Sequence, residues 1–168
     1  MSRLPMFKLA GSLALAALLA ACAVGPIGSQ VDGNTSPAAL QARMGTPTGV
    51  YPLPDGGQRL QYSQMPAGYQ VFDFDFDPSG RLLRQDQALR YENFNRIALG
   101  QTRQEEILFT YGRPMRIVRV ASFDGPIWDY RFNDINNPRI ISIHIDRAGV
   151  VQRIVYTDID RRRLFGPD

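Results

Sequence analysis

A stretch of pattern in this chain occurs twice, and the duplication limits its fold more than any other feature. Gly33-Asn34-Thr35 lines up with Gly100-Gln101-Thr102, and at the same offset of 67 Gly45-Thr46-Pro47 lines up with Gly112-Arg113-Pro114. Gln61-Tyr62 then matches Asp129-Tyr130 at 68, and Phe76-Asp77-Pro78-Ser79-Gly80 matches Ile145-Asp146-Arg147-Ala148-Gly149 at 69. Matches that keep their order and drift by one residue at each of two loops point to a repeated unit. A unit of roughly 65 residues has a core that supplies only a few kcal/mol without a disulfide or a metal. Two such units that share apolar surface overcome this limit, so the spacing predicts one joined eight-stranded body.

Each copy reads as helix followed by strands. In the second, residues 92–99 form a short helix with Phe94 and Ile97 on one side, stopped by Gly100. Thr102 and Glu105 have capping-box spacing, Ile107, Leu108 and Tyr111 make a buried helical stripe, and Gly112 and Pro114 end it. Strands are expected at 115–121, 127–133, 139–146 and 150–157. Trp128, Tyr130 and Phe132 alternate with Asp129 and Arg131, and Ile141, Ile143 and Ile145 alternate with Ser142 and His144, so one face is apolar and the other polar. In the first copy Thr35 or Ser36 caps a helix that buries Leu40 and Met44, and strands are expected at 49–53, 58–63, 69–77 and 81–87.

The N-terminus carries an address. Arg3 and Lys8 precede an uncharged apolar run, Leu9 to Ala20. Twelve such residues are too few to cross a bilayer core of about 30 Å as a helix, but they suit a secretory signal. The run ends Leu19-Ala20-Ala21-Cys22, which resembles the lipobox of bacterial lipoproteins. That resemblance implies cleavage after residue 21 and a covalent diacylglycerol and acyl chain on Cys22, with no other cofactor. Ala23, where an aspartate retains such proteins at the inner membrane, implies an anchor in outer-membrane lipid, facing the periplasm. Acyl chains hold a protein at a membrane because each buried methylene contributes about 0.8 kcal/mol. The expected layout is signal 1–21, lipidated N-terminus and tether 22–32, repeat one 33–90, repeat two 91–160 and a basic tail 161–168 carrying Arg161, Arg162 and Arg163.

Composition excludes several classes. With 44% apolar and 21% charged residues the chain is neither disordered nor collagen-like. One cysteine and one histidine build neither a disulfide nor a Cys/His metal cluster. Cleavage removes Arg3 and Lys8 and leaves charges nearly balanced, which argues against nucleic acid as a partner. Asp73-Phe74-Asp75-Phe76-Asp77 invites a calcium-loop reading, but the loop's glycine and acid positions hold Pro78 and Arg84. The segment reads as a strand with its aspartates in solvent. His144 reads as a solvated strand histidine, and Ser142, two residues away on the same strand, stands about 6–7 Å off, too far for a hydrolytic pair. Trp128 and Tyr130 read as core, in phase with Phe132.

The helix pattern around Gly100, Thr102, Glu105, Gly112 and Pro114, the strand with Trp128 and Tyr130, and the Asp146–Gly149 hairpin together resemble the SmpA/OmlA (BamE-like) family of outer-membrane lipoproteins. As a tandem pair they also resemble the β-lactamase inhibitor protein fold. These resemblances imply an α+β fold: two tandem helix-loop-helix plus antiparallel-sheet repeats forming one curved sheet with helices on one face. They imply no catalysis, and a protein-binding role in outer-membrane or β-barrel assembly and envelope integrity. The tandem resemblance keeps open a second role, binding or inhibiting a periplasmic enzyme. By elimination, the interface falls on the outward sheet face of the second repeat, with Arg119, Asp129, Arg131, Ser142, His144 and Arg153.

Overall fold

The structure is a computed structural model that describes residues 31–135 and 137–159. The signal segment, Cys22, most of the tether and the 161–168 tail lie outside the described residues.

Helix α1 (Pro37–Met44) begins where the Ser36 hydroxyl accepts from the Ala39 N–H, with Pro37 in the first turn, where a missing amide costs nothing. Strands β1 (Gly49–Pro52), β2 (Gln58–Ser63), β3 (Val71–Phe76) and β4 (Leu82–Gln87) follow as an antiparallel meander in chain order. Helix α2 (Gln104–Tyr111) and strands β5 (Arg116–Val120), β6 (Phe123–Asp134), β7 (Asn137–Ile145) and β8 (Val151–Asp158) repeat that order, the helices starting at 37 and 104. The inner faces hold the apolar alternation. Leu40 of α1 packs with Leu60, Tyr62, Phe72, Phe74 and Phe76. Ile107 and Tyr111 of α2 pack with Trp128, Tyr130, Phe132, Ile141, Ile143 and Ile145.

The joined curved sheet is overturned. There are two separate four-stranded sheets, and no ladder joins them among the described residues. Nor do helices line one face of a common sheet, for strand accounts for 45% of the described residues and helix for 17%. The repeats join by helix packing. Val71, on the outward side of β3, together with Ala88 and Leu89 after β4, belongs to the same apolar cluster as α2. Helix α2 therefore sits between the inner face of β5–β8 and the outward face of β1–β4. The order of layers is α1, sheet, α2, sheet.

Two local expectations also change. The helix expected at 92–99 is a 3-10 helix, Tyr91–Arg96. Its turn stays tight because the Asn93 carbonyl accepts the Tyr111 hydroxyl at 2.7 Å, while the Ile97 N–H donates to the Phe94 carbonyl three residues back. The cap of α2 is shifted by one residue. The Arg103 N–H donates to Glu106 Oε1, whereas the Thr102 hydroxyl accepts from the Ala98 N–H.

Each β-meander also depends on a glycine that the residue alignment did not reveal. A Cβ on Gly57 would strike the Phe76 carbonyl oxygen, and one on Gly125 would strike that of Ile145. Both approaches are to backbone, which cannot swing away. Gly125→Ala is expected to lower stability by about 1–3 kcal/mol, read from the urea midpoint; an unchanged midpoint contradicts the close approach.

Candidate functional site

The outward face of β1–β4 is a closed polar seam. Arg59 on β2 is 6% exposed and grips Asp75 on β3 through two bonds, Nε to Oδ1 at 2.7 Å and Nη2 to Oδ2 at 2.8 Å. Asp73 lies 3.3 Å from Arg59 Nη1 and accepts from Gln61 Nε2 at 2.9 Å. The reading of these aspartates as solvated is corrected: Asp73 is 4% and Asp75 8% exposed, because α2 covers them. One guanidinium serves two carboxylates, and Asp75 holds its bidentate geometry. Burial, only partly offset by Arg59 and Gln61, pushes the Asp73 carboxyl up to about 7.

What the seam holds is the end of a helix. The Phe109 carbonyl, left without an intrahelical donor, accepts from Arg59 Nη1 at 3.1 Å and Gln61 Nε2 at 3.2 Å. The Tyr51 hydroxyl on β1 donates to the Leu108 carbonyl at 3.3 Å. The Phe109 ring lies 4.1 Å beneath the Arg59 guanidinium and meets the Tyr51 ring edge to face. A sheet face thus recognises the negative end of a helix dipole together with one aromatic side chain.

The corresponding face of β5–β8 has no such cover among the described residues. Asp129 is 2% exposed, accepting from Arg116 Nε at 2.7 Å and from the Ser142 hydroxyl at 2.6 Å. It is bound inward and does not present its charge outward. His144, expected in solvent, is 5% exposed, with the Phe123 ring edge-on at 4.9 Å and Arg153 Nη2 at 3.2 Å from its Nδ1. Burial, and then the Arg153 charge, pull the imidazole below its usual value, so at neutral pH it is uncharged. Arg153 is exposed.

Arg131 leaves the group. It is half-buried, reaching across to the Ala67 carbonyl at 3.5 Å and over the Tyr69 ring at 5.3 Å, so it ties the repeats together. Arg119 stands where the β5–β6 register shifts, and lines a shallow groove with Gly125, Pro126, Asp146 and Arg147, away from the rest. Four of the six expected residues therefore share one patch: Asp129, Ser142, His144 and Arg153.

No family model matches the sequence, and no curated protein matches it. Among solved structures, a DUF4309 family protein (YjgB) from Bacillus subtilis is 13% identical, with 75% of this chain and 80% of that one covered and a TM-score of 0.31. An extracellular protein containing an SCP domain from Bacillus anthracis is 14% identical, with 82% of this chain and 50% of that one covered and a TM-score of 0.27. Likenesses at this level assign neither family nor function.

Sequence reasoning missed Arg116, which neutralises Asp129, and the apolar part of the patch: Val118, Ile127 and Val155. It also missed the Arg59–Gln61–Phe109 seam. The signal lay in the repeat. Carried across its full length, the alignment sets Tyr51 beside Val118, Arg59 beside Ile127, Gln61 beside Asp129, Asp75 beside His144 and Arg84 beside Arg153. The charged Arg59 and Asp75 of one copy thus give way to Ile127 and His144 in the other, while the neutral Gln61 gives way to the carboxylate Asp129 and Arg84 keeps its charge as Arg153.

Proposed function

We propose that the chain is an outer-membrane-anchored periplasmic lipoprotein, non-enzymatic, acting as a protein-binding module in outer-membrane or β-barrel assembly. One observation carries the binding reading: the sheet face on which the first repeat holds a helix carries no helix in the second among the described residues, and there Arg116 and Arg153 stand at the surface. The likeness of the repeat motifs to the SmpA/OmlA family and of residues 19–22 to a lipobox supports the address and the assembly role. The geometry around His144 and Ser142 also supports a binding rather than a catalytic role. Neither is free to activate a nucleophile, since Ser142 is committed to Asp129, and His144 is walled in by Phe123 and Arg153.

The test is affinity purification from detergent-solubilised outer membranes. Wild-type chain is expected to bring down subunits of a barrel-assembly complex, and Arg153→Glu combined with Arg116→Gln is expected to reduce their recovery at least tenfold. Glutamine at 116 retains a donor for Asp129, and a single cooperative urea transition checks that the variant is folded. Cys22→Ala is expected to move the chain to the soluble fraction. Undiminished recovery in the arginine variant would remove the face from the argument. Recovery of a soluble hydrolase alone would overturn the assembly role, and a Cys22→Ala chain that stays with the membrane would overturn the anchor.

A further inference from the structure

We propose that the free half of strand β8 pairs antiparallel with the same strand of a second copy of this chain, about a two-fold axis at Val155, so that two four-stranded sheets become one. An edge strand presents unpaired N–H and C=O groups that template pairing with another chain, and folds blunt such edges. Three of the four edges here are blunted. Strand β1 has only four residues and ends in Pro52. In β4 the ladder skips Leu83, and the Val31 N–H donates to the Gln85 side chain at 3.0 Å. The register of β5 shifts at Arg119.

Strand β8 is blunted only at its start. The Val151 carbonyl accepts from the Gly100 N–H at 2.8 Å, and the Val151 N–H donates to the Thr102 carbonyl at 2.9 Å. Gln152 bulges out of the ladder and gives its side-chain amide to Asp146. From Arg153 to Asp158 the strand runs on without proline or bulge, and among the described residues nothing pairs with its outer side. The Ile159 N–H donates to the Pro138 carbonyl at 3.0 Å, which sets the alternation of the last rungs. Arg153, Val155 and Thr157 therefore turn their backbone groups toward β7, and Ile154, Tyr156 and Asp158 turn theirs outward.

This run is complementary to itself. With Val155 opposite Val155, Ile154 of each copy lies opposite Tyr156 of the other, and these are residues whose N–H and C=O are free to be exchanged. The two valines form a pair without main-chain bonds, the kind whose Cα atoms approach to about 4.5 Å. Val155 is 39% exposed, so the approach buries apolar surface on the outward side. On the inner side Ile154 and Tyr156, which already pack on the core around α2, extend that apolar layer across the joint. Arg153 falls opposite Thr157, so no like charges meet. Moving the axis to Tyr156 would instead set Ile154 against Asp158. Each strand ends at the Gln152 bulge of the other, where the cover from Gly100 to Thr102 begins, so the pairing closes at two copies.

The test uses the full, lipid-modified chain, two copies of which carry different epitope tags after Asp168, expressed together and solubilised in detergent. Purification through one tag is expected to recover the other. Val155→Lys in both copies is expected to lower that recovery at least tenfold, because the two ammonium groups then face each other across the axis. Val155→Lys in one copy with Val155→Glu in the other is expected to restore it, and Leu83→Lys in both, on the blunted edge of β4, is expected to leave it unchanged. The restoration separates a broken contact from a misfolded chain. Absence of the second copy in the wild type, indifference to lysine at 155, failure of the Lys–Glu pair to restore recovery, or an equal loss with Leu83→Lys each overturns the edge pairing. If barrel-assembly subunits are recovered while the second copy is not, the edge pairing fails and the protein-binding reading stands.

Discussion

Arg59→Met is expected to cost about 3–5 kcal/mol of stability at pH 7.5, because it leaves two buried carboxylates without their cation. Asp75 loses both strong bonds, at 2.7 and 2.8 Å, Asp73 loses its nearest positive charge, and the Phe109 carbonyl loses one of two side-chain donors. The loss has a predictable pH dependence. In the folded wild type, the Asp73 carboxyl holds its proton up to about 7, whereas in the unfolded chain it releases it near 3.8. Between these values the folded state binds more protons than the unfolded one, so this group's contribution is complete below about pH 4 and is lost as pH rises through 7. Without Arg59, which holds the Asp73 carboxyl down, Asp73 titrates higher still, so acid relieves the variant more than the wild type. Urea unfolding at pH 7.5 and 5.5 is expected to show the variant's deficit shrinking by at least ~1 kcal/mol at the lower pH. An equal deficit at both values would mean that the seam is held by packing alone.

How much of this was readable from residues differs by level. The strands were legible because period two survives in each: Phe72, Phe74 and Phe76, or Ile141, Ile143 and Ile145, alternate without interruption. The helices were legible from their stops, Gly45 and Gly112, which have φ of 81° and 72°. The joint between the repeats was not legible, because a strand alternating Phe with Asp looks the same whether the aspartates meet water or a neighbouring helix. What distinguishes the cases is the partner across the ladder, and Arg59 and Gln61 come from a different strand. The same blindness placed His144 and Asp129 in solvent. Their burial comes from the long side chains of Arg116 and Arg153 and the ring of Phe123 folding over them, and no alternation pattern records that. The curved sheet failed for a related reason. Sharing a core does not require pairing edges, and α2 joins the halves through its two sides.

Because α2 is shared, a lesion on one side of it should be felt by the whole stack, and Phe94→Ala is the sharpest way to ask. Phe94 is 1% exposed and packs its ring against Tyr111 at 5.3 Å, Phe132 at 5.0 Å and Tyr156 at 6.3 Å. It thereby fixes the 3-10 crossover to α2 and to the second sheet at once. Truncation removes a large buried side chain and is expected to cost about 3–5 kcal/mol, a fall in Tm of about 10–20 °C for a body of this size. Calorimetry should show a single transition for both wild type and variant. The reason is physical: Tyr111, which Phe94 supports, follows the Leu108–Phe109 end that Arg59, Gln61 and Tyr51 grip on the first sheet. A loosened α2 leaves Arg59, Asp73 and Asp75 open to water and exposes Val71. Two resolved transitions, with the upper one unmoved in Phe94→Ala, would mean that the first sheet stands without α2, and the continuous stack of layers would be refuted.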